Sequence, residues 1–176
     1  MPQTFPAVPV CREVMECLDR IEIDILNRWR ARDYRPVAAA IIVDDTKGRV
    51  LLVKSANSLT WGFPQGGIKR NENVIAGLAR EVREETGIVL SLIRRMVHHD
   101  VHGVPGMREK HGFLIGRSTH YFSASCRAGQ ELRLERSEII DAEWFDPYDA
   151  YRRLYESGGR SNEKKMAMLT ALTNAF

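Results

Sequence analysis

From residue 8 to residue 31, Val14, Leu18, Ile21, Ile25 and Trp29 recur at helical spacing among Arg, Glu and Asp, which predicts one amphipathic helix. Asp33-Tyr34-Arg35-Pro36 breaks that pattern. The run VAAAIIV from Val37 reads as a buried strand, Asp44 to Gly48 as a turn, and RVLLVKS as the returning strand. WGFPQGG, residues 61 to 67, is an irregular glycine-rich connection into a second helix. IVLSLIRRMVHHDV predicts a long strand that ends in a loop around Gly103-Val104-Pro105-Gly106. THYFSASC predicts another strand, and a last one surrounds Trp144. Asp146-Pro147 opens a short helix through Tyr155, with Asp as cap and Pro in the first turn. Gly158-Gly159 separates it from a final helix that runs from about Asn162 to the end. No internal repeat interrupts the order. Helices and strands interleave, which predicts a compact α/β or α+β sandwich.

The second helix carries an unusual pattern. With about 100° per residue and Glu81 as origin, Glu84 falls near −60° and Glu85 near +40°, so three carboxylates share one sector. Ile75, Leu78 and Val82 form the neighbouring apolar stripe, so the acidic sector borders the core. Gly77 lies one turn before Glu81 and is expected to leave open space beside the carboxylates, at a cost of about 1 kcal/mol in helix propensity. Like charges at this spacing repel by a few tenths of a kcal/mol per pair. Two readings fit: a solvated acidic face, or a hard-cation site in which clustered oxygens hold Mg²⁺ while water and substrate phosphate complete its shell. Arg80, four residues before Glu84, is placed to steady that side chain.

Composition narrows the classes. The chain of 176 residues is enough for one domain of ordinary size, and its 44% apolar and 28% charged content is that of a globular protein. No apolar run reaches bilayer length, and the first residues lack a signal-peptide layout, so no membrane partner is expected. Cys11, Cys17 and Cys126 show no CxxC pairing, which argues against a disulfide framework or thiolate zinc site and suits a reducing cytoplasm. A net charge of +3 permits a polyanionic partner without demanding one.

Gly66, Glu72, Arg80, Glu81, Val82, Glu84, Glu85, Gly87 and Ile88 together satisfy G-x5-E-x7-R-E-U-x-E-E-x-G-U, where U is bulky and apolar. Residues 66–88 thus resemble the Nudix box without a departure. The resemblance implies a Nudix α/β/α sandwich, with a mixed sheet between helices, over residues 34–176, preceded by a helical extension at 1–33. It implies Mg²⁺- or Mn²⁺-dependent hydrolysis of a phosphoanhydride in a nucleoside diphosphate linked to another group. Carried over by position, Glu81, Glu84 and Glu85 would be metal ligands, as would the Gly66 carbonyl. Arg80 and Glu72 would form a supporting pair, with Gly87 closing the box.

Beyond the box, YRP at 34–36, W-x-FPQGGI at 61–68, IGR at 115–117, Tyr121-Phe122 and SEIIDAEWF at 137–145 resemble the bacterial branch that contains RNA 5′-pyrophosphohydrolases and dinucleoside polyphosphate hydrolases. That resemblance implies a nucleotide or 5′-phosphorylated RNA as substrate. It assigns an extra ligand or base role to Glu138, six residues before Trp144, and phosphate contacts to Arg35 and Gln65. Alternatives are cleavage of Ap4A-type dinucleotides or of damaged nucleoside triphosphates, or a binding-only module. Two positions depart from the branch: Ser55 stands where a second basic residue is expected after Lys54, and Ser161 to Lys165 lacks the base-stacking aromatic. The N-terminal helix has two readings, packing on its own sheet or a homodimer contact, and an apolar stripe favours the first. His98, Asp100 and His102 would share one strand face, read as a polar strand end near the phosphate site because no fourth metal ligand is evident.

Overall fold

The computed structural model describes residues 8–104, 115–158 and 161–176. In chain order its elements are α1 (Arg12–Ala31), β1 (Tyr34–Asp44), β2 (Val50–Ser55), β3 (Trp61–Gly62), β4 (Gln65–Gly67), α2 (Val74–Thr86), β5 (Leu90–Gly103), β6 (Gly116–Cys126), β7 (Ile139–Phe145), α3 (Pro147–Glu156) and α4 (Asn162–Asn174). One mixed sheet runs β3-β2-β1-β6-β5, with β4 paired to β1 and β7 to β2. At its centre β1 and β6 lie parallel, in register from Tyr34 opposite Gly116 to Asp44 opposite Cys126.

Helices cover both faces, which is why the VAAAIIV run carries no polar alternation. Ala38, Ala40 and Ile42 face one core with Ile21 and Ile25 of α1 and Leu78 and Val82 of α2. Ala39 and Ile41 face the other, with Leu154 of α3 and Leu172 of α4. The apolar stripe of α1 is therefore spent on its own sheet. The fold is the expected α/β sandwich with an N-terminal helix.

Several local expectations change. The first helix starts at Arg12, because the Cys11 N–H donates to the Ile93 carbonyl at 2.8 Å and Val10 bridges to Ile93. Tyr34-Arg35-Pro36 belongs to β1, where the pairing with β6 overrides the break suggested by Pro36, whose carbonyl accepts from the Ile68 N–H at 3.1 Å. Likewise β6 begins at Gly116, so it takes in part of the IGR motif. The 61–67 connection holds two short strands, β3 and β4. Asp146 stands at the N-cap of α3 without a side-chain cap bond. The expected loop around Pro105-Gly106 and the Gly159 break lie outside the described residues.

Both ends of α2 are fixed. Asn73 Oδ1 accepts from the Ala76 N–H at 2.7 Å, and Glu22 Oε1 of α1 accepts from the Val74 N–H at 2.6 Å. Carboxylates near a helix N-terminus are favoured by the helix dipole, so α1 helps to set the start of the acidic helix. At the other end Gly87 takes φ 77° and its N–H donates to Arg83. A β-carbon there would lie 2.9 Å from the Arg133 side chain, so the position requires glycine twice over.

Candidate functional site

Pairing of β4 with β1 sets Gly66 opposite Ala38 and Gly67 opposite Val37, and α2 lies alongside. Arg80 is the hub of this junction. Its Nε and Nη2 donate to Glu72 at 2.7 and 2.9 Å, Nη2 donates to the Gly67 carbonyl at 3.0 Å, and Nη1 donates to Glu81 at 2.7 Å and Glu84 at 2.9 Å. Burial alone would raise Glu72, but Arg80 and the Lys69 N–H outweigh it and hold that carboxyl below the usual range. The expected Glu72–Arg80 and Arg80–Glu84 contacts are both present.

The three box glutamates occupy different environments. Glu84 is 57% exposed, Glu81 is largely buried, and Glu85 is buried at 7% exposure. The Glu81 side chain lies flat against Gly66, whose added β-carbon would stand 1.9 Å from the Glu81 Cδ. Glu85 Oε2 accepts from the Gln65 N–H at 3.0 Å. Burial pushes the Glu85 carboxyl up to about 8, and Glu81, Glu138 and Glu84 add to the rise. Burial also raises Glu81, against the pull of Arg80.

These groups line one cleft of about 760 Å³, with Arg35, Gln65, Gly66, Lys69, Arg117 and Glu138 on its walls. Glu138 is brought there by the 133–138 loop, which is tied to the end of α2: the Arg133 N–H donates to the Thr86 carbonyl at 2.8 Å and the Glu135 N–H to the Glu85 carbonyl at 3.2 Å. The Glu138 carbonyl accepts from the Ala56 N–H at 2.7 Å. Arg35 is half-buried. A β-carbon on Gly67 would meet its Nη2 at 2.3 Å, so the second glycine of the GG pair makes room for that guanidinium. Burial lowers Arg35, opposed by Glu81 and Glu138.

Sequence reasoning quoted Arg117 only within the IGR motif and gave it no role. It stands beside Arg35 across the β1–β6 pair, its Nε is buried without a hydrogen-bond partner among the described residues, and burial followed by Arg35 depresses its pKa. Only the parallel pairing of strands some eighty residues apart brings the two arginines together, so no local signal could have revealed it. The reading of Gly77 needs correction: its β-carbon position lies 2.6 Å from Ile68 Cδ1 and 3.0 Å from Glu72 Oε2. Gly77 permits close packing of the box loop and leaves no open space. Trp61 belongs to the second core, edge-on to Phe145 with ring centroids 5.5 Å apart. Phe63 is both core and cleft wall.

The histidine-rich strand end lies off this cleft. His102 Nδ1 and Asp100 Oδ2 are 2.5 Å apart, the same-face pair that strand alternation predicts. His99 faces elsewhere and stacks on His120 at 4.2 Å, near Asp24 of α1. Burial lowers both imidazoles, His120 to about 3.

Comparison with known proteins agrees with this layout. The family model described as NUDIX domain matches residues 34–166. The RNA pyrophosphohydrolase of Halorhodospira halophila is 39% identical over 123 residues, spanning 64% of this chain and 67% of that protein. The m7GpppN-mRNA hydrolase of Saccharomyces cerevisiae is 30% identical over 125 residues, which cover 69% of this chain but only 12% of the yeast protein. Among solved structures, the NUDIX domain of Shewanella oneidensis NrtR complexed with ADP ribose superposes with TM-score 0.59 at 16% identity, covering 80% of this chain and 86% of that one. A C. elegans Ap4A hydrolase binary complex gives 0.57 at 19% identity, with 80% and 93% covered. At such identities the structural matches establish the fold.

Proposed function

The chain belongs to the Nudix family of hydrolases, and we propose that it removes pyrophosphate or phosphate from the 5′ end of triphosphorylated or diphosphorylated RNA. In this reading residues 34–176 are the hydrolase domain and residues 1–33 an appended helix. The observation that carries it is the cleft, where buried Glu85 and its acidic neighbours face Arg35 and Arg117.

The donor set fits a hard divalent ion. Glu85 is buried among Glu81, Glu84 and Glu138, a surplus of negative charge that neutral carboxyls or a cation must relieve. The Gly66 carbonyl, Glu81, Glu84, Glu85 and Glu138 are the residues that would hold Mg²⁺ or Mn²⁺. Such an ion supplies positive charge that offsets the phosphates and acidifies water at the site. The chain's own groups do the rest. Arg35 and Arg117, with Gln65, bind and orient the phosphates, since guanidinium forks match phosphate geometry. Water attacks phosphorus, the bridging P–O bond breaks, and a carboxylate of the cluster accepts the water's proton as the leaving phosphate departs. Arg80 holds Glu81 and Glu84 in place and stays out of the proton transfer.

The identity to an RNA pyrophosphohydrolase supports the RNA substrate. Cleavage of dinucleoside polyphosphates is the second reading, favoured by the absence of an aromatic in Ser161 to Lys165. Purified protein with Mg²⁺ or Mn²⁺, offered 5′-triphosphate RNA, diadenosine polyphosphates, 8-oxo-dGTP and ADP-ribose in parallel, tests the assignment. RNA is expected to be turned over fastest; a preference for ADP-ribose overturns the branch.

A further inference from the structure

We propose that Asp24, His99 and His120 form a second metal site, built for a zinc-class transition ion, that fastens α1 to the sheet. The three ligands come from three elements: Asp24 from α1, His99 from β5 and His120 from β6. Asp24 Oδ2 stands 3.6 Å from His120 Nε2 and 3.9 Å from His99 Nε2, and the three donor atoms lie within 4.8 Å of one another. These gaps exceed hydrogen-bond length. They approach the roughly 3.3 Å separation that metal–ligand bonds of about 2.0–2.1 Å impose around a tetrahedral ion. Two imidazoles and one carboxylate are a donor set that suits zinc, with water in the fourth position.

A further observation points to a ligand here. Among the described residues, Asp24 Oδ2 is buried without a hydrogen-bond partner, while the His120 side chain, only 3% exposed, turns its Nε2 toward it. Buried polar groups in native proteins are seldom left unsatisfied, and each needs a reason. The neighbours are arranged to leave Oδ2 available. Arg28 approaches the other oxygen, Asp24 Oδ1, at 3.4 Å, while its Nη1 donates to Asp33 at 2.9 Å. His99 Nε2 is engaged by Ser118 Oγ at 2.8 Å, a bond that metal binding exchanges for coordination. The stacked rings, 10° from parallel, must splay to aim both lone pairs at one ion. His99, one-third exposed on the outer strand of the sheet, is the ring with room to turn.

This site is separate from the cleft. His120 pairs with Ala38, and Ala38 with Gly66, so two strand spacings, about 10 Å, lie between His120 and the Gly66 backbone. None of the three ligands is among the cleft residues.

The full chain, stripped by chelator and kept in excess Mg²⁺, is titrated with Zn²⁺, and separately with Co²⁺ for its visible ligand-field bands. One equivalent is expected to bind, and Tm to rise by about 5–10 °C at a hundredfold excess over Kd. Binding and bands should persist in Glu81→Gln and vanish in His99→Gln and Asp24→Asn, with metal-free Tm values of the last two near that of the parent. Three results overturn the proposal: no zinc bound, zinc lost in Glu81→Gln but kept in His99→Gln, or binding without a thermal shift.

Discussion

Two groups of charges meet at α2, and they are built on opposite principles. Around Arg80 nearly every charge is satisfied inside the protein: one guanidinium serves Glu72, Glu81, Glu84 and the Gly67 carbonyl. In the adjoining cleft, among the described residues, Glu85 is buried with a single backbone N–H, and Arg117 Nε is buried with no partner. The first group is paired within the protein and holds the box loop on the helix, while its Glu81 and Glu84 also reach the cleft. The second is incomplete among the described residues, with carboxylates crowded on one wall and Arg117 on another, an arrangement that the proposed cation and phosphate would complete. Ion pairs identify a scaffold, whereas buried charges without counterparts identify a site that expects ligands.

Glu85→Gln breaks the contrast most severely. We expect kcat to fall at least about 10²-fold, as for loss of a positioned acid–base or electrostatic group, while the metal-free protein becomes no less stable. The sign follows from linkage. Glu85 sits well above the ordinary carboxyl value of 4.5, at about 8 when folded, so the folded state retains a proton that the unfolded chain has lost. Without divalent ions, stability should fall as pH rises from about 4.5 to 8 and then level off. Glu85→Gln should reduce that slope to what the raised Glu81 carboxyl contributes. Chemical denaturation across pH, with and without Mg²⁺, measures it; an unchanged slope in the variant would show that Glu85 is not the group responsible.

Arg80→Ala attacks the satisfied group instead. It leaves Glu72 and Glu81 partly buried without their hydrogen-bonded cation, a change expected to cost about 3 kcal/mol and to lower activity indirectly. Arg80→Lys should restore only part of the stability, because an ammonium cannot reproduce the fork to Glu72 and the Gly67 carbonyl. Full rescue by lysine in urea unfolding would mean that charge alone matters at this position.

Gly67→Ala sharpens the other half. Its β-carbon needs the space held by Arg35 Nη2, and the guanidinium, at the end of a long side chain, can swing away at little cost in stability. With one charge-assisted phosphate contact displaced, KM should rise roughly tenfold while kcat stays nearly constant. Steady-state kinetics on the preferred substrate decides; a loss confined to kcat would move Arg35 out of substrate binding.

How much of this was legible in the sequence depends on range. The acidic sector of α2, its apolar stripe and the Arg80–Glu84 pair follow from helical periodicity. The α/β order follows from where apolar runs and turns alternate. Arg35 beside Arg117 and Asp24 beside His99 and His120 were not readable, because each depends on the strand order β3-β2-β1-β6-β5, whereas Glu138 was assigned to the site by the family resemblance alone. The unequal burial of Glu81, Glu84 and Glu85 was also hidden, since a helical wheel gives direction and says nothing of what the loop 133–138 covers.

Gly77 tests that boundary with the smallest change. If the helix had open space beside its carboxylates, Gly77→Ala would gain about 1 kcal/mol of helix propensity. In the structure the new methyl meets Ile68 Cδ1 at 2.6 Å, and Ile68 is 1% exposed, so it has nowhere to move. Overpacking of this kind costs about 1–3 kcal/mol, which exceeds the propensity gain. We therefore expect a net loss of roughly 1 kcal/mol, a fall in Tm of about 2–4 °C, with the Arg80–Glu72 fork disturbed because Glu72 Oε2 is the next nearest atom. A rise in Tm would restore the open-helix reading and detach Gly77 from the scaffold around Arg80.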